Sequence, residues 1–188
     1  GQLADAILQG HDDLHLIVPA LRAVCKRYEG QIRIEIVGVT TRIESWSHLH
    51  GLPLYERKPG PAYAEYPAFL PWFCASCRWD IALAPLADTA FNRYKSDIKF
   101  LDYAAIGAAG VFSRAPAYAS SVQHGVTGWL VENTVDAWEE ALVQLIMHPA
   151  QAQVIAYTSQ RYLYGNRTLA QGARLWLAAL DGSLGERE

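Results

Sequence analysis

The stretch 80–131, DIALAPLADTAFNRYKSDIKFLDYAAIGAAGVFSRAPAYASSVQHGVTGWLV, admits few folds. It opens on a short apolar run at 81–86 that ends in a polar loop. A helix follows, beginning near Ser96 and closed by Gly107. A second apolar run covers 110–112, and Gly125 and Gly128 then bracket a turn into Trp129, Leu130 and Val131. Strand, loop, helix, strand is the βαβ unit of a parallel sheet, and such sheets collect ligands beyond the carboxyl ends of their strands. The loop ends in Lys95-Ser96-Asp97, and the helix carries Lys99 and Asp102. Chemistry is expected there.

The flanking sequence repeats the pattern. Residues 4–9 predict a first strand stopped by Gly10. Asp12 is placed to cap a helix with Leu14, Ile17, Leu21, Val24, Cys25 and Tyr28 on one face. Pro19 kinks that helix or begins it, and Gly30 ends it. Ile32, Ile34 and Ile36 alternate with Arg33 and Glu35, a strand pattern closing at Gly38. A short helix is expected in 40–51, a short strand at 52–55, a Pro/Gly loop at 57–61 and an aromatic-rich helix over 66–79. After the central unit, Thr134 caps a helix with Trp138, Ala141, Leu142, Leu145 and Ile146 in phase, stopped at His148-Pro149. Helices at 150–164 and from Thr168 complete the chain. The last carries Leu169, Ala173, Trp176, Leu177 and Leu180 on one side, and the tail from Asp181 reads as frayed. The Trp and Tyr residues at helical spacing are expected mostly in the core. The sum is an α/β, doubly wound parallel sheet with C-terminal helices, one domain over 1–188.

Each constellation has a plain reading beside its functional one. Ser96 can cap the central helix as an ordinary surface cap, yet Lys95 and Lys99 at a helix N-terminus oppose the macrodipole by about 0.3–1 kcal/mol each. An anion bound there reverses the argument, because free N–H groups and two ammonium groups then converge on it. Asp102 shares a helix face with Lys99. It is either an exposed i,i+3 ion pair or a carboxylate one turn below a phosphate, accepting from two vicinal ribose hydroxyls. His11 and His15 have a metal-compatible spacing, but the Glu of H-E-x-x-H is missing and a metal needs three or four placed ligands. His11 matters instead for lying just beyond the first strand. Cys74-Ala-Ser-Cys77 is a lone pair that reads as packing. Gly107-Ala-Ala-Gly110 leaves a helix and so is no dinucleotide fingerprint. No Gly-x-Ser-x-Gly elbow is present.

Composition removes whole classes. Sixteen Lys and Arg against 19 Asp and Glu give net −3, which disfavours broad nucleic-acid binding. No apolar run approaches the roughly 20 residues that cross a bilayer, and no signal segment is recognised at the start. Three cysteines make a disulfide framework unexpected and a reducing compartment natural. A cytoplasmic protein is expected, at the inner membrane face in its full-length form.

With these residues in view, 80–131 resembles the donor-binding half of GT-B glycosyltransferases, specifically the retaining family four. Members have a strand ending in Pro, a loop, and a helix whose N-terminus holds the nucleoside diphosphate, with an acidic residue on the ribose. Pro85, Lys95-Ser96-Asp97 and Asp102 fall in those places. A G-x-P-V segment matches 107–111, with Ala109 where Pro is usual, and the turn HGVTGWLV at 124–131 matches closely. The helix after Thr134, opening Asp136-Ala-Trp138, fits as well. QGHDDLHLIVPAL and IEIVG resemble the first βαβ of the same half-domain. Two departures stand out. The family's first Glu, a donor-sugar contact, falls at Tyr94, with Asn92 or Lys95 as substitutes. The diphosphate-clamping Arg or Lys after the first strand is replaced by Gln9-Gly10-His11.

The resemblance implies the C-terminal, nucleotide-sugar-binding domain of a hexosyltransferase-type enzyme of glycan biosynthesis, cut from a longer chain whose acceptor-binding N-terminal domain is absent. The full enzyme would transfer a sugar from a nucleoside diphosphate donor with retention, using no metal and no other cofactor. The domain alone would be inactive. The implied binding set is Lys95, the Ser96, Asp97 and Ile98 amides, Lys99 and Asp102, with Gly10, His11, Asn92 and Tyr94 as secondary candidates. Two competing readings are a non-enzymatic glycosyltransferase-like interaction module, which Tyr94 and Ala109 favour, and another doubly wound nucleotide enzyme such as a dehydrogenase, which the missing Gly-rich fingerprint disfavours.

Overall fold

The computed structural model describes residues 13–37, 49–180 and 182. The strand expected at 4–9, the loop residues Gly10 and His11, the cap at Asp12 and most of the helix expected in 40–51 lie outside the described residues. Helix α1, Val18–Arg27, has Pro19 in its first turn, so the helix begins at the proline, where a missing N–H costs nothing. Strand β1 is Ile34–Val37 and β2 is Leu54–Arg57. The second strand sits later than expected and absorbs Arg57 from the expected loop. The reason is register: β1 and β2 pair in parallel from Ile34 opposite Leu54 to Val37 opposite Arg57. Arg57 then forks onto Glu35 at 3.2 and 2.9 Å. Trp79 Nε1 donates to the same carboxylate at 2.9 Å, tying β1 to the segment that leads into the next strand.

A 3-10 turn, Pro61–Tyr63, leads to α2, Tyr66–Ser76, three residues shorter than its aromatic run. The second sheet holds β3 (Ile81–Ala84), β4 (Ala109–Ser113) and β5 (Trp129–Val131) in the order β3-β4-β5, all parallel. Between β3 and β4 run a 3-10 turn, Asn92–Tyr94, and α3, Ile98–Ile106. Gly107 closes α3 at φ 69°, and the amides of Gly107 and Ala108 return to Ala104 and Tyr103, a C-terminal cap that a side chain at 107 would strain. A short helix α4, Pro116–Ala119, precedes the turn into β5.

The central sheet is covered on both faces, which is what doubly wound means. Ile81, Leu83, Ala109 and Val111 face a core built with α1 and α5, Val135–Met147. Ala82, Ala84 and Phe112 face the other way, onto α3 and α4. Every residue of β4 is buried, as period-2 alternation between two covered faces requires. Thr134 caps α5 by accepting from Ala137 N at 3.3 Å.

Helix α6, Pro149–Asn166, changes faces. Its Ala152 and Ile155 belong to the first core, while Tyr162 packs in the second. Gln160 donates to Ala105 O and the Tyr162 ring meets Phe100, so α6 rises antiparallel to α3 toward that helix's N-terminus. Helix α7, Leu169–Leu180, follows. Thr168 and Gln171 cap its start reciprocally, at 2.8 and 3.4 Å. Its apolar residues are in solvent: Leu169 is 94% and Trp176 73% exposed. The expectation of mostly core Trp and Tyr is therefore corrected. Among the described ones only Trp138, Tyr103 and Tyr118 are buried; Tyr28, Trp79, Trp129 and Tyr162 are partly buried at the margins of the two cores, and Tyr157, Tyr164 and Trp176 stand on exposed helix faces.

Candidate functional site

The carboxyl ends of β3, β4 and β5 are fastened to one another by side chains. Ser113 Oγ, at the end of β4, accepts from Leu86 N at 2.8 Å and donates to Asn133 Oδ1 at 2.6 Å. Asn133 Nδ2 donates to Leu86 O at 2.9 Å. Both backbone groups of Leu86 are thus satisfied, and the loop after β3 leaves in one direction. Asp13 fixes the next stretch. Its buried carboxylate accepts from Ala87 N at 2.7 Å and Asn92 Nδ2 at 3.0 Å, with the Lys95 ammonium 3.4 Å away. Asn92 is buried, donates also to Ala87 O, and keeps its Oδ1 without a hydrogen-bond partner.

The chain then turns into α3, and here one expectation fails. The N-cap position belongs to Asp97, not Ser96. Ser96 stands one residue early and exposed, because Phe100 N and Leu101 N both bond to Asp97 O. Asp97 has the right side chain for a cap yet makes no side-chain cap bond. Its carboxylate is turned onto Arg167, which forks to it at 2.7 and 3.0 Å from the junction of α6 and α7. Ser121 Oγ donates to the same carboxylate and accepts from Arg167 Nη1 at 3.2 Å. Burial alone would raise the Asp97 pKa, but the Arg167 and Ser121 hydrogen bonds outweigh it and hold the carboxyl below its ordinary value.

A cleft of about 310 Å³ opens beside this N-terminus, lined by Arg93, Tyr94, Lys95, Ser96 and Asp97, by Pro116, Ala117 and Ser120, and by Arg167. Three cations and one carboxylate line it, and each cation has a carboxylate partner: Arg93 with Asp88, Lys95 with Asp13 and Arg167 with Asp97. Arg93 is tethered to Asp88 at 2.7 and 3.0 Å, and Lys95 lies 5.4 Å from the Phe91 ring centre. Tyr94 is 91% exposed. The structure thus brings Tyr94, Lys95, Ser96 and Asp97 together around one opening, with Ile98 as the first residue of the helix behind them.

Lys99 and Asp102 lie elsewhere on α3. At 100° per residue they fall well away from Asp97, and neither lines the cleft. Asp102 is not the exposed carboxylate of the simple ion-pair reading. It is 3% exposed, accepts from Tyr66 Oη of α2 at 2.9 Å, and has Lys99 Nζ at 3.4 Å. Burial and the Asp102 carboxylate push the Tyr66 phenol above its usual range. Gly10 and His11 lie outside the described residues. Cys74 and Cys77 are free thiols, both raised in pKa by burial. Among the described residues no group of three or more His, Cys, Asp or Glu gathers as metal ligands do.

Four residues escape a sequence reading. Asp13 was visible only as part of a histidine-flanked pair, and Tyr66 only as one aromatic among many. Ser121 and Arg167 carry no local signal. Arg167 marks the break between two helices, and its distance of 70 residues from Asp97 is bridged by packing alone.

No protein-family model matches the chain, and no curated protein does. Solved structures do. HepE from Anabaena, in complex with UDP-glucose, aligns with TM-score 0.56 at 16% identity, over 78% of this chain and 38% of that one. A glycosyltransferase from Rickettsia africae aligns with TM-score 0.63 at 13% identity, over 95% of this chain and 45% of that one. The C-terminal domain of LpcC, a group 1 family glycosyl transferase from Francisella tularensis, aligns with TM-score 0.62 at 16% identity, over 86% and 80%. The chain spans less than half the length of the first two and most of the third. Its fold is therefore that of the C-terminal domain of GT-B glycosyltransferases.

Proposed function

We propose that this chain is the nucleotide-sugar-binding domain of a glycosyltransferase that uses a nucleoside diphosphate sugar, transfers with retention, and needs no metal. The observation that carries the reading is the cleft at the N-terminus of α3 where Arg93, Lys95 and Arg167 gather, at the carboxyl edge of a sheet whose fold HepE shares with UDP-glucose bound. In this reading the Ser96, Asp97 and Ile98 amides and Lys95 meet the diphosphate and stabilise the charge it gains on leaving. Lys99 adds its charge from the first turn. Asp102 takes the ribose. The Tyr66 phenol occupies the Oδ1 acceptor that a ribose hydroxyl would use, so the two exchange. Tyr94 and Asn92, with its unpartnered Oδ1, are the sugar-side candidates.

The acceptor half is proposed to come from sequence outside this chain, and turnover to require it. No described helix is long and apolar enough to cross a membrane; a cytoplasmic setting, at the inner membrane face for the full-length protein, is part of the proposal. Calorimetric titration with UDP, GDP and ADP beside their nucleosides tests the reading. One diphosphate is expected to bind clearly more tightly than its nucleoside. If none binds, the chain is better read as a glycosyltransferase-like interaction module, the reading favoured by an exposed Tyr94 where the family carries a sugar-binding Glu.

A further inference from the structure

An aspartate at an N-cap ordinarily turns its side chain back to accept from the amides of the first turn. That self-cap would set a negative charge at the place where a diphosphate has to bind, and the two would exclude each other. In α3 the self-cap is not made. Both oxygens of Asp97 are instead drawn aside by the Arg167 fork, and Ser121 donates to one of them. Arg167 reaches this spot because α6 runs antiparallel to α3 and ends level with its first turn. It also lines the cleft, with its side chain 31% exposed.

We propose that Arg167, aided by Ser121, is a positioning residue that holds the Asp97 carboxylate off the N-terminus of α3 and so keeps the first-turn amides open to the donor's diphosphate. The inference rests on the donor-binding reading above. It differs from a purely structural ion pair in one consequence. Asp97 stands at φ −81°, ψ 24°, so removing Arg167 frees both its side chain and its backbone to turn to the extended conformation of a capping residue. Asp97 then caps its own helix, and the lost binding is recovered when Asp97 is removed as well.

The test titrates UDP and inorganic pyrophosphate into the 188-residue chain and into Arg167→Ala, Asp97→Ala and the double variant, with thermal melts alongside. Arg167→Ala is expected to weaken both ligands by roughly tenfold, since a charged acceptor then competes for the same amides. Asp97→Ala keeps its backbone amide and binds at least as tightly as the native chain. The double variant returns to within roughly threefold of Asp97→Ala, less than the loss of one charged hydrogen bond. A double variant as weak as Arg167→Ala would overturn the proposal in favour of direct phosphate contact by Arg167, and an Arg167→Ala that binds like the native chain would overturn it outright. Should Arg167→Ala not fold, Ser121→Ala and Arg167→Lys weaken the hold on Asp97 and are expected to lose binding that Asp97→Ala restores; no loss in either overturns the proposal. Failure of the native chain to bind UDP, GDP, ADP or pyrophosphate removes the donor reading and this inference together, whereas native binding with no loss in the variants removes the inference alone.

Discussion

Asp102 carries different consequences according to what it holds. A buried carboxylate accepting from Tyr66 and Lys99 stabilises the fold as it stands. Tyr66→Phe then leaves an acceptor unsatisfied and costs about 1–3 kcal/mol. If Asp102 is also the ribose acceptor, the same substitution vacates the oxygen that the ribose needs. Thermal melts of Tyr66→Phe should therefore fall while its affinity for the preferred nucleoside diphosphate holds or rises. Asp102→Asn should weaken ribonucleotide binding by roughly tenfold, the worth of a charged hydrogen bond, and should erase most of any preference over the 2′-deoxy analogue. Equal affinities for ribo and deoxyribo ligands in both proteins would take Asp102 out of the site. The two lysines separate by geometry. Lys95 lines the cleft and Lys99 does not, so Lys95→Ala should cost roughly tenfold in pyrophosphate affinity and Lys99→Ala clearly less. The reverse order would place the phosphates on the Asp102 side of α3.

At the scale of elements, α3 and α6 meet through the Gln160–Ala105 and Tyr162–Phe100 contacts and, at the start of α3, through the Arg167–Asp97 ion pair, and acid reads that pair. The Asp97 carboxyl titrates below its ordinary value in the folded chain, so the folded chain binds fewer protons there than the unfolded one. Its contribution is complete above the unfolded Asp value of about 3.9 and fades as pH falls through the folded value. Arg167→Ala should accordingly flatten the stability-against-pH curve below about pH 4, and leave the melting temperature less changed in acid than at pH 7. A loss that is the same at every pH would mean that the pair contributes through packing only. The turn into β5 offers a second check. A Cβ at Gly128 would lie 2.8 Å from Val122 and 2.9 Å from Phe112, inside the second core. Gly128→Ala is expected to cost about 1–3 kcal/mol by overpacking, read as a shift in denaturant midpoint.

Across the whole molecule the two ends of the hydrophobic pattern behave differently. Trp138 is wholly buried between sheet and helices, and Trp176 on α7 is mostly in solvent. Trp138→Ala should cost about 3–5 kcal/mol, whereas Trp176→Ser should stay within about 0.5 kcal/mol; comparable losses would mean that α7 packs in solution as it does not here. Adding EDTA or divalent metal should leave diphosphate affinity unchanged, and a clear metal requirement would end the metal-free reading. The sequence by itself determined the alternation of strands and helices, the caps at Thr134 and Gly107, and the position of the Lys95-Ser96-Asp97 loop before α3. Those features rest on local periodicity and local backbone sterics, which a few neighbouring residues decide. Only the tertiary structure decided that Asp97 rather than Ser96 starts the helix, that Asp102 is buried under Tyr66, and that Arg167 stands at the cleft. Each of these depends on which helix packs beside α3 and at what height, and that is set by the shared filling of two cores by residues far apart in the chain.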